Sequence, residues 1–375
     1  MSYLYVSRWK KFNAIAIAFL AICTCTLSLY LAPAFSLNDP IVFQFATVGD
    51  SRHEPGMPMP AHDRIWLQNT KVTSRIFREI QAQKPKALFF NGDMIMGYTA
   101  DRHRLDREYA YWRGMISGLL ETGTYVVPVP GNHEMQEKFI DENGKLRKIA
   151  RVSNENAWRG NMGDLILNTD MWRELVGADI QHWNVDNAPA IGSADGIKSD
   201  QKQLSYSFDF NQLHFAVINT DAYSQDTHAP VRWLAQDLAK ARDRGVKRIF
   251  VFGHKPAFSY DYNDKKEIVG FDTYPENQQA FWTLIEDYKA TYFCGHQHLY
   301  HAMQPWKARN GRAWQFIVGS GGTPFDVEPG ASKNPNDRMY AWANVTVHHS
   351  GKVHVDIWGF DDRYGKTKRL EQFDV

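Results

Sequence analysis

Five short apolar runs in this chain each end abruptly on a polar tip, and that recurrence restricts the fold more than any other feature. Tyr125-Val126-Val127-Pro128-Val129-Pro130 runs into Gly131-Asn132-His133-Glu134. Similar runs, rich in Val, Ile and Phe, precede Gly49-Asp50, Gly92-Asp93, Gly253-His254 and Gly295-His296-Gln297-His298. An amide, an imidazole and a carboxylate at the end of a buried strand are costly unless they find polar or metal partners. A single tip of this kind is explained by a polar loop whose asparagine caps a turn. Five tips on five strands imply one shared face.

The intervening segments indicate how the strands are arranged. Ile41 to Val48 reads as a first strand, and Ile65, Val72, Ile76, Phe77 and Ile80 then recur at helical spacing until Lys84-Pro85. Ala87 to Phe90 forms a second strand, and a second amphipathic helix, roughly Leu105 to Leu120, precedes the strand that delivers Asn132. Alternation of this kind predicts an α/β fold with a parallel sheet, whose ligands gather at the carboxyl ends of the strands. From about Met135 to Lys202 the periodicity fades, and residues 135–202 read as a cap-like insertion. Leu204 to Phe210 and Leu213 to Asn219 form a hairpin about Asn211-Gln212. Pro230 opens a helix carrying Trp233, Leu234, Leu238 and Ala241, and another helix lies near Glu276 to Tyr288. Arg248 to Phe252, Thr291 to Cys294, Ala313 to Val318, Ala341 to Val347 and Val353 to Trp358 read as strands.

The chain has 375 residues, 43% of them hydrophobic, enough for one elaborate domain over residues 35–375. Its formal charge of +1 predicts no specific nucleic-acid binding. Arg8, Lys10 and Lys11 precede an apolar run from Phe12 to Leu31, and Ala32-Pro33-Ala34 offers a small-x-small cleavage site. Residues 1–34 therefore read as a signal peptide, or as an uncleaved N-terminal membrane anchor, since the run is nearly long enough to span a bilayer. Either reading predicts export: periplasmic, extracellular, or membrane-anchored facing outward. Cys23 and Cys25 lie in that segment, which leaves Cys294 without an intramolecular disulfide partner.

Gathered at one face, Asp50, Asp93, Asn132, His254, His296 and His298 offer the carboxylates, imidazoles and amide carbonyl that suit borderline divalent metals. His296 and His298 are two residues apart, so on a straight strand they would face opposite ways. On a turn each can reach a different ion, which suggests two metals. A bridging carboxylate would hold the ions roughly 3.5 to 4 Å apart, where a shared hydroxide can attack phosphorus.

In this order the five blocks resemble the calcineurin-like metallophosphoesterase superfamily. Tyr206-Ser207-Phe208-Asp209-Phe210 with Leu213-His214-Phe215, and Val318-Gly319-Ser320-Gly321-Gly322, look like its purple acid phosphatase-like branch. The resemblance spans about residues 41–347 and implies a four-layer α/β/β/α sandwich with mixed sheets. It also implies a phosphoric ester hydrolase with two divalent ions, Mn, Zn or Fe, acting on a phosphorylated small molecule or macromolecule. Asp93 would bridge the ions, with Asn132, His254 and His296 at one and Asp50 and His298 at the other. His133 would be the acid near the leaving oxygen.

Two positions depart from the family pattern. Arg52 stands where a ligating histidine is usual, and a guanidinium cannot ligate a cation. Arg52 then either faces the substrate phosphate as a bidentate donor or makes a structural ion pair. It also opens a second reading of the chain, a metal-bearing binding or surface-interaction protein with weakened catalysis. Met96 replaces the iron-binding tyrosine of the purple enzymes and Tyr98 is out of register, so no purple ferric site is expected.

Overall fold

Every residue of strand β1 (Ile41–Val48) is buried from Phe45 onward, as a central strand covered on both faces requires. The computed structural model describes residues 39–53, 67–262 and 267–375, so the N-terminal segment and Ile65 lie outside the described residues. Helix α1 (Thr70–Gln83), β2 (Ala87–Asn91), α2 (Arg102–Glu121) and β3 (Tyr125–Val129) follow, then the one-turn helix α3 (Asn132–Met135). A hairpin of β4 (Gln136–Ile140) and β5 (Leu146–Ala150) comes next, with helices α4 (Val152–Met162) and α5 (Thr169–Val176). The second half comprises β6 (Tyr206–Phe210), β7 (Leu213–Val217), the two-residue strands β8 (Asp221–Ala222) and β9 (Gln225–Asp226), α6 (Val231–Asp243), β10 (Arg248–Phe252) and α7 (Pro275–Asp287). It continues with β11 (Thr291–Cys294), β12 (Tyr300–Met303), β13 (Gln315–Val318), β14 (Tyr340–His348), β15 (Val353–Phe360) and β16 (Lys368–Asp374).

Two mixed six-stranded sheets result, in the orders β16-β15-β14-β1-β2-β3 and β12-β13-β11-β10-β7-β6. Strands β1, β2 and β3 are parallel neighbours in the first, and β7, β10, β11 and β13 in the second. Between the sheets lies a phenylalanine seam: Phe89 stacks on Phe252 at 3.9 Å, and Phe45 meets Phe250 edge-on at 5.2 Å. Such pairs add about 0.5–1.5 kcal/mol each beyond the area they bury. Outside the first sheet, Trp112 of α2 meets Phe90, and outside the second, Trp233 and Leu234 of α6 and Trp282 and Ile285 of α7 cluster with Val251 and Tyr292. Helix, sheet, sheet and helix layers follow from these two outer cores.

Residues 135–202 contain more regular structure than their periodicity suggests. The β4–β5 strands carry charge on both faces, which erases the alternation of a half-buried strand. In α4 the apolar face is narrow, made by Ala157, Trp158 and Met162, and Trp158 Nε1 donates to the Gln203 carbonyl at 2.9 Å. Helix α2 begins earlier than its apolar pattern because its cap is polar: Asp101 accepts from the amides of His103 and Arg104. Asn211 and Gln212 both adopt positive φ, as a two-residue hairpin of this type needs. No helix among the described residues is long and apolar enough to cross a membrane.

Candidate metal centre

The six expected ligands meet at the carboxyl ends of neighbouring parallel strands. Asp50, Asp93 and Asn132 follow β1, β2 and β3, while His254 follows β10 and His296 and His298 follow β11. The sheets are joined at this end through the main chain, where Gly49 N donates to the Val318 carbonyl at 2.9 Å and Thr323 N to that of Asp50 at 3.0 Å. Asp50, Asp93 and His296 all sit at positive φ, of 63°, 52° and 70°. Left-handed backbone at non-glycine residues costs energy and tends to cluster where a site dictates side-chain direction. Gly92, at φ 80°, permits a close approach: a Cβ there would stand 2.7 Å from both Gly131 Cα and His254 Nδ1.

Asp93, His254 and His296 each place one ligand atom within 4.8 Å of the others, as do Asp50, Asp93 and His298, so Asp93 belongs to both groups. The donor chemistry fits a cation. His254 Nδ1 lies 2.8 Å from the Asn91 carbonyl, which makes it the N–H donor and leaves the Nε2 lone pair of a neutral ring pointing inward. That Nε2 faces Asn132 Oδ1 at 2.9 Å, His296 Nδ1 at 3.1 Å and Asp93 Oδ1 at 3.2 Å. Several electron-rich atoms converging on one point call for a proton or a metal. Among protein charges alone a proton answers: burial pulls the His254 pKa down, but Asp93, Asp50 and the Asn91 carbonyl together raise the value to about 9. Burial, with Asp93 adding to it, likewise raises Asp50 to about 8. A bound cation would reverse both shifts.

In the second group, His298 Nδ1 lies 3.1 Å from Asp326 Oδ1, so its Nε2 lone pair is the one turned inward. Arg52, only 5% exposed, approaches that Nε2 at 3.2 Å through Nη2 and Asp93 Oδ2 at 3.3 Å through Nε. The guanidinium thus shares two of this group's three ligand atoms while also lining the cavity. His53, the neighbour on the extended chain, is buried as well.

His133 sits on α3 beside Asn132. Its Nδ1 is 2.5 Å from the Met96 carbonyl and its Nε2 is 3.7 Å from Asp93 Oδ2. The main chain of Met96 therefore orients the ring, a role a sequence cannot display. Burial, followed by Arg52, holds the His133 pKa well below the usual histidine value. Glu134, fully buried, accepts four main-chain N–H groups: Met94 and Ile95 at Oε1, Asp93 and Gly131 at Oε2. It fixes the loop that carries Asp93 against the turn that carries Asn132.

A cavity of about 250 Å³ opens over the centre, lined by Arg52, Asn132, His133, His296 and His298 together with residues absent from the motifs. Tyr98 is one of these: its hydroxyl hydrogen-bonds Asn132 Nδ2, which turns Asn132 Oδ1 toward the ligand group. Asp326, in the loop after β13, holds His298, and Lys138 and Lys148 come from the β4–β5 hairpin. None of the four follows a β-strand on a polar tip, the pattern by which the sequence marked this face.

No curated protein sequence matches the chain. Among solved structures, a purple acid phosphatase from yellow lupin (Lupinus luteus) seeds is similar with a TM-score of 0.54 at 13% identity, over 88% of this chain and 53% of that one. The chain thus spans about half the length of the lupin enzyme. A dimetal phosphatase from Danio rerio aligns over 90% of this chain and 99% of its own, with a TM-score of 0.44 and 13% identity. The family model described as calcineurin-like phosphoesterase matches residues 53–300, beginning just after Arg52 and taking in Asp93, Asn132, His133, His254, His296 and His298. With well over half of its length matched, and with carboxylate and imidazole ligands gathered at strand ends, this chain belongs to the calcineurin-like phosphoesterase family.

Proposed function

We propose that the protein is an exported hydrolase of phosphate esters that works with two divalent ions, Mn, Zn or Fe. The observation that carries this reading is the sharing of Asp93 between two ligand groups, each within 4.8 Å. Asn132, His254 and His296 would hold one ion, Asp50 and His298 the other, and Asp93 both. Bound there, the ions would neutralise phosphoryl oxygens and make water nucleophilic at neutral pH.

The remaining work falls to side chains. Arg52 lines the cavity with a fixed positive charge and would donate to a phosphoryl oxygen. His133 enters neutral, with Nδ1–H engaged by Met96 and Nε2 toward the cavity. A phosphate dianion beside it favours the charged ring, so Nε2 would take up a proton from water as substrate binds and pass that proton to the leaving oxygen, returning the ring to its neutral form. Tyr98 and Met96 hold Asn132 and His133 in register. The substrate is a phosphorylated small molecule or macromolecule, monoester or diester.

Metal-reconstituted protein should hydrolyse an aryl phosphate or phosphodiester and lose that activity with chelator; full activity in stripped protein overturns the reading. Export is tested separately: a mature chain starting near Phe35 supports a cleaved signal, and Met1 retained in a membrane fraction supports an anchor. A second reading, a metal-bearing binding protein with weakened catalysis, is favoured by the contacts of Arg52 with His298 and Asp93. An inert wild type that gains hydrolysis and a second equivalent of metal in Arg52→His would establish it.

A further inference from the structure

The β4–β5 hairpin pairs Gln136 with Ala150, Lys138 with Lys148, and Ile140 with Leu146. Because side chains alternate along a strand, these pairs share one face, and Glu137, Phe139, Arg147 and Ile149 share the other. On the second face the charges are matched. Arg147 Nε lies 2.8 Å from Asp141, and Arg151 Nε lies 2.9 Å from Glu137 while its guanidinium covers the Phe139 ring. On the first face they are not: among the described residues neither Lys138 nor Lys148 has a carboxylate within ion-pair distance. Like charges placed directly opposite destabilise a strand pair, so folding supplies no reason for two lysines at this register.

Their surroundings supply one. Both lysines are exposed at the mouth of the cavity over the candidate metal centre, where Arg52 adds a third positive charge. Lys148 Nζ stands 4.7 Å from the centre of the Tyr98 ring, whose hydroxyl holds Asn132, so the lysine is braced beside a ligand residue. Desolvation at the wall, then Lys138 and Arg52, lower the Lys148 pKa against an opposing pull from Asp93. On the other wall Glu267 is the acidic group, and Asp326 is engaged by His298.

The geometry points to a subsite for a second anionic group: the substrate carries, besides the phosphoryl group that is cleaved, a further phosphate or carboxylate that Lys138 and Lys148 bind. This rests on the phosphoesterase reading. The ions and Arg52 would neutralise the reacting group, and the lysine pair selects among esters that all possess one.

The test compares wild type, Lys138→Ala, Lys148→Ala and the double variant on phenyl phosphate, an alkyl diphosphate and a phosphorylated hydroxy acid such as 2-phosphoglycolate. An exposed ion pair contributes a few-fold in affinity, so the double variant should lose about tenfold more in kcat/KM on a doubly anionic substrate than on phenyl phosphate, chiefly through KM. Arg147→Ala, on the opposite face of the same hairpin, should leave that ratio alone. The thermal midpoint should hold or rise, because a like-charge pair has been removed. Preference for the diphosphate identifies phosphate as the second anion; preference for phosphoglycolate identifies carboxylate. Equal losses on all three substrates, or a lowered midpoint, would overturn the subsite. If wild type favours phenyl phosphate, the subsite fails and the phosphoesterase reading stands. If wild type is inert on every ester, that reading fails, and calorimetry with methylenediphosphonate still decides the subsite: about tenfold weaker binding by the double variant supports it, and equal binding overturns it.

Discussion

Replacing Glu134 with glutamine changes one atom and should disable both the fold around the site and the site itself. Glu134 Oε1 accepts from Met94 at 2.8 Å and Ile95 at 3.1 Å, and Oε2 from Asp93 at 2.9 Å and Gly131 at 2.8 Å. A glutamine keeps one oxygen. Whichever way its amide turns, the NH2 group faces two main-chain donors and orphans them. Each buried donor left without an acceptor costs about 1–3 kcal/mol, so the substitution should cost about 2–6 kcal/mol. A domain has only about 5–15 kcal/mol in total. Denaturant titration in the presence of chelator isolates this loss from metal binding, and the midpoint should fall at constant slope. Metal content should also fall at equal ion concentration, because in either orientation the loop that carries Asp93 loses main-chain support. A loss below about 0.5 kcal/mol would show that solvent or a rearranged loop satisfies those donors, and the positioning argument would fail.

Asp93→Asn should lower occupancy at both ions together and cost several orders of magnitude in rate, whereas Asn132→Ala should weaken one site; elemental analysis showing a single ion lost from Asp93→Asn would exclude bridging. His133→Asn should keep its metals and lose about 10²- to 10⁴-fold on alkyl phosphates, with a smaller loss on activated aryl esters; losses independent of the leaving group would remove His133 from proton transfer. His214, fully buried, has Nδ1 2.7 Å from Asp209 and Nε2 2.9 Å from Asp237, and although burial lowers its pKa, the two carboxylates raise it above 6.5. A raised native pKa means that this contribution is complete below about pH 6.5 and disappears as pH rises through the native value. The thermal midpoint of wild type should therefore approach that of His214→Gln as pH increases, and a gap that widens would contradict the charged ring.

The residues legible in the sequence were those the strands themselves aim. Asp50, Asp93, Asn132, His254 and His296 each close an apolar run, so the side-chain pattern and the position at the strand end carry the same information. Tyr98 was visible only as a tyrosine out of register, since its part is to orient an amide through its hydroxyl and not to ligate. Asp326 lies in a loop whose path no periodicity describes, and Lys138 and Lys148 face each other only once a hairpin sets their register. Arg52 was evident as a departure from the family pattern, but its contact with His298 joins residues 246 positions apart in the chain. Strand β16, with Lys368, Arg369 and Glu371, escaped notice because an edge strand half open to water has no apolar run to betray it.

Three of the expected ligands end strands of one sheet and three end strands of the other. The complete ligand set therefore comes into being only when the two sheets dock across the phenylalanine seam. An unfolded chain holds its histidines and carboxylates at random separations and has little to offer an ion beyond single weak contacts. Loading is thereby coupled to completion of the fold, and the ions present where folding finishes have first access to the centre. A chain that crosses a membrane unfolded would leave cytoplasmic ions behind and take its metals from the far side.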